Sequence, residues 1–326
     1  MITSEWPGKS SPNDVPFLGE FFKHLNSIGV TTEIYKLSNR SFLNWVKDLC
    51  RIKKILSDTD FDIIHTQWGY NFIYSFCFSY PQIITYHGSD LNIPKTWTAR
   101  NIIIHLLSRF ATVFSNYNIF VSEELSKFNK NKSLKSSVVP MGVNLEKFYP
   151  DDKIECRKKL KLPLDKNLIL FGGNTTQPVK RYCLAKKALK NLDDNYQLIN
   201  LNYNSYEFMP LYINASDILL MTSSSEGSPM MIKEAIACDI PVISTDVGDV
   251  RKVISGLNNC YILSENPSPL IIARTIKECL KNSLKPDGIE RIKKEYSLNY
   301  TVSSIINIYS SLINKKNGFN NSTNKK

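Results

Sequence analysis

Two glutamates, Glu226 and Glu234, flank a short polar turn, Glu226-Gly227-Ser228-Pro229, and the start of a helical stretch from Met230 onward. A carboxylate can accept paired hydrogen bonds from the two hydroxyls of a vicinal diol, which suits a ribose or a hexose. Pro229 fits the first turn of a helix, where a missing N–H costs nothing. The free N–H groups of Met230, Met231 and Ile232 would then point out of the helix start toward a phosphate, assisted by the helix dipole. Taken alone, the pair reads equally well as one carboxylate in a solvated loop and one that supports the helix start. His87 closes an apolar run, and a lone histidine at a strand end is more often structural than functional.

These side chains need a scaffold, and the rest of the chain supplies its pattern. Short apolar runs alternate with amphipathic stretches, as in β-α units around a parallel sheet. The first half predicts strands at Met1–Thr3, Thr32–Tyr35, Ile63–Thr66, Gln82–Tyr86, Asn118–Val121 and Ser137–Val139, with helices such as Pro16–Ile28 and Trp45–Asp58 between them. The second half predicts strands at Leu168–Phe171, Gln197–Asn202, Ile218–Met221, Val242–Ser244 and Cys260–Leu263, and helices at Cys183–Asn191, Met230–Cys238 and Pro269–Asn282. Pro140, Pro150 and the charged stretch Asp151–Lys161 mark the junction. The fold class is therefore α/β, with two Rossmann-like domains at 1–148 and 149–300. A helix at 301–313 is expected to pack back on them, followed by a polar, Asn/Lys-rich tail at 314–326 read as disordered. Ligands of such sheets bind outside the carboxyl ends of the strands, so chemistry is expected in a cleft between the domains.

Bulk properties narrow the classes. The 326 residues are 42% hydrophobic and 22% charged, which excludes wholesale disorder. The net charge of +11 is spread over both halves without a basic arm or stripe, which argues against nucleic-acid binding. Membrane surfaces and phosphorylated small molecules remain as anionic partners. The seven cysteines are scattered, with no CxxC pair or Cys/His cluster, so neither a disulfide framework nor a zinc site is expected. No signal peptide or apolar run of about 18 residues is visible. Asp58-Thr-Asp60 spells a metal-type D-x-D, but it falls in a polar turn before the third strand and reads as a turn.

The segment E-G-S-P-x-x-x-K-E-A-x-A-C-x-x-P-V from Glu226 closely resembles the donor-binding signature of family 4 retaining glycosyltransferases, whose two glutamates have this separation. Other segments extend the resemblance through nearly the whole chain. Asp62-Ile-Ile-His-Thr-Gln-Trp and Ile83-Ile-Thr-Tyr-His-Gly-Ser-Asp90 look like its D-I-I-H-x-H-W and H-G-x-D segments. Val121-Ser-Glu and Val139–Phe148 are similar to its interdomain region, and Phe171-Gly-Gly with Pro178-Val-Lys180 to its diphosphate loop. Several ordered motifs are far more specific than a lone glycine pattern.

The resemblance implies a GT-B fold, two Rossmann-like domains facing across a cleft with the nucleotide sugar held mainly by the second. It implies that Glu234 holds the ribose hydroxyls, that Glu226 contacts the donor sugar near the reacting centre, and that Gly227, Ser228, Met230, Met231 and Asn174 border the donor. Lys180, a compact cation on a flexible stem, would neutralise the diphosphate together with Arg181. His87 would contact the sugar or acceptor, with Asp90 either assisting or capping the turn. Transfer would retain the anomeric configuration, with negative charge on the departing diphosphate met by Lys180, Arg181 and the helix start, so that no metal and no cofactor beyond the UDP- or GDP-linked donor is expected.

Three features depart from the pattern. Asn174 stands where relatives often carry an arginine, Pro7-Gly8-Lys9-Ser10-Ser11 replaces a glycine pair after the first strand, and one strand lies between Lys190 and Tyr212 where many relatives carry two. The reading is hexosyl transfer to a glycan or lipid-linked acceptor in surface polysaccharide synthesis, by a cytoplasmic protein that touches the inner membrane face peripherally. The alternatives are a sugar-nucleotide epimerase of the same fold, which would need acid/base groups but no acceptor, and a non-catalytic nucleotide- or sugar-binding descendant.

Overall fold

The computed structural model describes residues 1–7, 15–38, 41–92, 98–129, 135–201 and 206–323. The chain divides into two compact units, Met1–Pro140 with the segment from Thr301 onward, and Met141–Tyr300.

In the first unit the elements run β1 (Ile2–Thr3), α1 (Pro16–Ser27), β2 (Tyr35–Lys36), α2 (Phe42–Asp58), β3 (Ile64–Gln67), a 3₁₀ turn at Gly69–Tyr74, β4 (Gln82–Tyr86), α3 (Ala99–Phe114), β5 (Tyr117–Phe120), α4 (Glu123–Ser126) and β6 (Ser136–Val138). The strands form a six-stranded sheet in the order β2-β1-β3-β4-β5-β6, all parallel. Every residue of β3 and β4 is buried, as expected of strands covered by helices on both faces. Chain order reverses between β1 and β3, so the carboxyl ends of β3 and β4, with His87 just beyond β4, lie beside the switch point where ligands of such sheets bind.

The second unit continues with α5 (Lys153–Leu160), β7 (Asn167–Phe171), α6 (Tyr182–Leu189), β8 (Tyr196–Ile199), α7 (Met209–Ala215), β9 (Ile218–Met221), α8 (Met230–Ala237), β10 (Val242–Thr245), α9 (Val250–Ile254), β11 (Tyr261–Leu263), α10 (Pro269–Lys281), α11 (Ile289–Glu295) and the start of α12 (Leu298–Thr323). Its parallel sheet has the order β11-β10-β9-β7-β8. The switch point falls between β7 and β9, where Gly172-Gly173 leaves one strand and Thr222-Ser223 the other. Among the described residues β8 is the one strand between Lys190 and Tyr212.

Some expectations shift. The second strand pairs as Ile2↔Tyr35 and Thr3↔Lys36, later than Thr32–Tyr35, because a two-residue β1 has register for two residues only. Residues Met141–Phe148 join the second unit and not the first. Val143 N–H donates to Tyr296 O at 2.8 Å and Leu298 N–H to Val143 O at 2.8 Å, and Phe148 is buried in the second unit's core. The junction thus sits at Pro140 and not Pro150. Helix α12 continues to Thr323, past residue 313 where a disordered tail was expected. Val302, Ile305, Ile308 and Leu312 anchor its earlier turns, and a helix already nucleated lengthens at little cost even through polar residues. The departing loop at Gly8–Ser11 lies outside the described residues. Asp58 ends α2 and Asp60 follows it, both exposed before the amino end of β3, which agrees with a turn.

Helix α3 carries an unusual surface. Ile103, Leu106, Phe110, Val113 and Phe114 are each at least half exposed, as is Phe76 nearby. The ring of Phe72 lies 5.8 Å from Phe76 and 6.5 Å from Phe114, joining the Gly69–Tyr74 turn to this face.

Candidate donor-binding and histidine sites

In the second unit the carboxyl end of β9 is stitched to the turn that carries Lys180. Ser224 N–H donates to Val179 O at 2.8 Å, and the Thr222 hydroxyl donates to Lys180 O at 2.9 Å. The Lys180 stem lies flat across Gly173, where an added Cβ would come within 2.9 Å of its Cδ. Lys180 Nζ so directed reaches Glu226 Oε1 at 2.6 Å, with both side chains mostly covered. Two residues 46 positions apart that were singled out separately therefore meet at the switch point. Asn174 caps its own turn, its Oδ1 accepting from Thr176 N–H at 2.8 Å.

Arg181 is placed differently from the expectation that it meets a diphosphate. Its guanidinium donates to Thr222 O, to Ser223 O and Glu265 O at 2.9 and 2.7 Å, and to Asn266 Oδ1 at 2.9 Å. The side chain ties the end of β9 to the loop after β11, and a rigid fork of donors suits that task.

Helix α8 begins at Met230. Pro229 is its N-cap and not its first residue, and it offers no capping side chain, so no capping group claims the first-turn N–H groups. Met230 and Met231 pack against the core below. Glu234 lies in the second turn, 2% exposed. Burial pushes its carboxyl up from 4.5 to about 7, against the opposing pull of Lys147, the Tyr206 hydroxyl and Lys233. The Tyr206 hydroxyl donates to Glu234 Oε1 over a long 3.5 Å, and Lys147 Nζ sits 4.2 Å above the Tyr206 ring. A buried carboxylate so lightly bonded has acceptor capacity to spare.

Ser228 was expected at the donor, but its hydroxyl bonds inward to Asp249, and it also accepts from Lys233 Nζ. Lys233 was not foreseen. It is fully buried, 3.4 Å from Asp249 Oδ2 and 5.0 Å above the Tyr296 ring. Burial lowers its pKa and Asp249 raises it. Gly248, at φ +58°, brings the next turn against Gly227, where an added Cβ would lie 2.6 Å from Gly227 O. The Lys233–Ser228–Asp249 cluster and Gly248 together fix the backbone on which Glu226 stands. The motif includes this lysine beside Glu234, but nothing in the sequence marks it as buried, since a lysine inside an amphipathic helix normally reads as solvated.

The first unit holds His87 by itself. Its Nε2 lies 2.7 Å from Gln67 Oε1, and its ring packs on Trp68 at 4.7 Å and Phe17 at 5.5 Å. Burial lowers its pKa from 6.5 to about 3, so the ring is neutral at ordinary pH. Asp90 is a turn anchor. It is 1% exposed and accepts from Gly69 N–H and Gly88 N–H at 2.9 Å and from His87 N–H at 3.2 Å. Gln67, which occupies the second histidine position of the H-x-H-W pattern, becomes His87's partner.

Comparison with known proteins finds matches in both units. The family model described as Glycosyltransferase Family 4 matches residues 3–147, and that described as Glycosyl transferases group 1 matches residues 186–296. A Bacillus subtilis glycosyltransferase named for teichuronic acid biosynthesis, TuaC, is 27% identical over 60% of this chain, and the match spans about half, 54%, of that protein. The Campylobacter jejuni N,N'-diacetylbacillosaminyl-diphospho-undecaprenol alpha-1,3-N-acetylgalactosaminyltransferase is 23% identical over 74% of each chain. Among solved structures, Anabaena HepE in complex with UDP and glucose superposes with a TM-score of 0.73 at 14% identity, covering 95% of this chain and 99% of that one, a likeness of fold.

Proposed function

Because the chain belongs to family 4 of the glycosyltransferases and has their two-unit GT-B fold, we propose that it moves a hexosyl group from a nucleotide sugar, with retention, to a lipid-linked or glycan acceptor in surface polysaccharide synthesis. The observation that carries this reading is the second unit's switch point, where Glu226 is held by Lys180 beside an uncapped helix start and Glu234 lies buried one turn deeper. The chemistry of each part fits. Glu234 accepts the ribose hydroxyls, the α8 N–H groups and Lys180 receive the diphosphate, and Glu226, exchanging its lysine for substrate, meets the sugar. Arg181 acts by holding the loops and not by touching phosphate. Neutral His87 serves as a hydrogen-bonding contact to sugar or acceptor.

The acceptor side draws support from relatives that act on diphospho-undecaprenol substrates and from the exposed apolar face of α3. No helix among the described residues is long and apolar enough to cross a membrane. On the strength of that apolar face, we propose that the protein sits peripherally at the cytoplasmic membrane face.

Titrating UDP-, GDP- and ADP-linked sugars while following the melting temperature tests the donor site. A ligand at 100 times its Kd adds about 2.7 kcal/mol of stability, and Glu234→Ala is expected to abolish that gain. The reading falls if no nucleotide sugar raises the melting point, or if Glu234→Ala leaves the shift intact. Turnover of the nucleotide sugar to its epimer without acceptor would favour an epimerase instead.

A further inference from the structure

A buried polar chain runs from the C-terminal helix to His87, and it has a direction. Tyr309 on α12 places its hydroxyl 2.7 Å from His65 Nδ1, with the two rings edge to face. His65 Nε2 lies 2.7 Å from Thr85 Oγ1 and 3.2 Å from Gln67 Nε2. The other end of that amide, Gln67 Oε1, meets His87 Nε2 at 2.7 Å. His65, Gln67 and Thr85 are each at most 4% exposed, so water cannot substitute for a missing partner.

An amide nitrogen only donates and an amide oxygen only accepts. With the amide so placed, Gln67 Nε2–H and the Thr85 hydroxyl share the one lone pair of His65 Nε2 as donors, which leaves the His65 proton on Nδ1, donated to Tyr309. Gln67 Oε1 in turn accepts a proton from His87, which must sit on Nε2. The three links share one polarity, and turning the amide over would reverse all of them together.

We propose that Tyr309 is a positioning residue which, through His65 and Gln67, sets the tautomer of His87 and leaves the Nδ1 lone pair of that ring as a hydrogen-bond acceptor. The proposal rests on the reading of His87 as a contact to sugar or acceptor for its purpose, but not for its physical content. Both imidazoles stay neutral, because burial lowers each pKa from 6.5 to about 3. The N-terminal ammonium and His87 also lower that of His65, and Asp90 faces His87 through the backbone N–H. The network thus exchanges tautomers and not charge, and a wrong tautomer presents a donor where a substrate hydroxyl needs an acceptor. It gives α12 a use beyond packing, since the end of the chain governs a group beside the first sheet's switch point.

Histidine-selective ¹⁵N correlation spectra of the full chain test this directly, since it has four histidines. His87 is expected as the Nε2–H form. In Tyr309→Phe the His65 Nδ1–H loses its acceptor, the amide turns, and a measurable fraction of His87 moves to the Nδ1–H form. Gln67→Met, close to glutamine in shape, breaks the relay, so adding Tyr309→Phe to it is expected to leave His87 unmoved. An Nδ1–H His87 in the parent, or identical His87 tautomers in the parent and a folded Tyr309→Phe, overturns the coupling. Activity supplies the separate arm. Tyr309→Phe is expected to lower kcat roughly five- to tenfold, the scale of one hydrogen bond, with donor Kd unchanged. A moved tautomer with full kcat would uphold the coupling and sink the role given to His87.

Discussion

Glu234 combines near-complete burial with, among the described residues, one long side-chain hydrogen bond, from Tyr206, and this makes its protonation sensitive to whatever enters the site. The folded carboxyl titrates near 7 against 4.5 when exposed, so the folded state holds its proton more tightly than the unfolded chain does. Between those values the native state binds more protons, and stability falls as pH rises. At about 1.4 kcal/mol per pKa unit, the loss from this group is about 3 kcal/mol between pH 4.5 and 7. Glu234→Gln is expected to remove that slope, which urea unfolding at a series of pH values measures. A diol donating to the carboxylate favours its ionised form, so nucleotide-sugar binding expels a proton and tightens as pH rises from 6 to 8. Calorimetry in buffers of different ionisation enthalpy reads that proton. A pH-independent Kd would mean that the carboxyl does not meet the diol. Arg181 teaches the opposite lesson at this scale. It stands next to Lys180 in the chain, yet most of its donors go to the carbonyls of Thr222, Ser223 and Glu265 and to Asn266 Oδ1. Composition shows that an arginine is present, but the position of backbone carbonyls belongs to the fold.

The elements were legible wherever one signal decided them. β7 and β9 are almost wholly apolar runs because both faces of a parallel sheet are covered, and the predicted and observed limits of β4, β7 and β9 agree within a residue. β2 was misplaced because its limits follow from pairing with a two-residue neighbour. The end of α12 was missed because polar residues can extend a helix whose earlier turns are anchored. The loop carrying Glu226 shows the same dependence on distant partners. Its position relies on Gly248, whose φ of +58° and contact with Gly227 O leave no room for a side chain. Gly248→Ala is expected to cost about 2 kcal/mol, as a residue forced into a poor backbone region does, and to weaken donor binding roughly tenfold by displacing Gly227. Gly256 separates the two effects. It has φ +76° with no atom within 4 Å of an added Cβ, so Gly256→Ala is expected to lose stability while keeping donor affinity. Equal affinity losses in both variants would show that global softening, and not the Gly248–Gly227 contact, governs the site.

At the scale of the whole molecule, part of the basic excess gathers on two helices of the first unit. Helices α2 and α3 both pack on the Gly69–Tyr74 turn. Exposed Leu43 and Val46 on α2 stand beside exposed Lys47, Arg51, Lys53 and Lys54, while the apolar face of α3 begins at exposed Arg100 and its sequence holds no acid. Apolar side chains that reach into acyl chains, rimmed by cations that meet anionic headgroups, are the two components of peripheral membrane binding. Each basic group near an anionic surface contributes about 1 kcal/mol, and that share is screened beyond a Debye length of about 8 Å at physiological salt. The protein is therefore expected to co-sediment with vesicles containing phosphatidylglycerol and to be partly released by 0.5 M salt, taken as roughly a Debye length of 4 Å. Phe110→Ser with Phe114→Ser, which removes two half-exposed rings and the contact of one of them with buried Phe72, is expected to weaken vesicle binding at least roughly tenfold, since each buried apolar side chain contributes about 1.5–3 kcal/mol. Donor-induced thermal stabilisation should be unchanged in that variant, because the donor groups lie in the other unit. Equal binding of parent and variant, or equal binding to neutral vesicles, would remove α3 from the membrane surface and leave the acceptor to be found in solution.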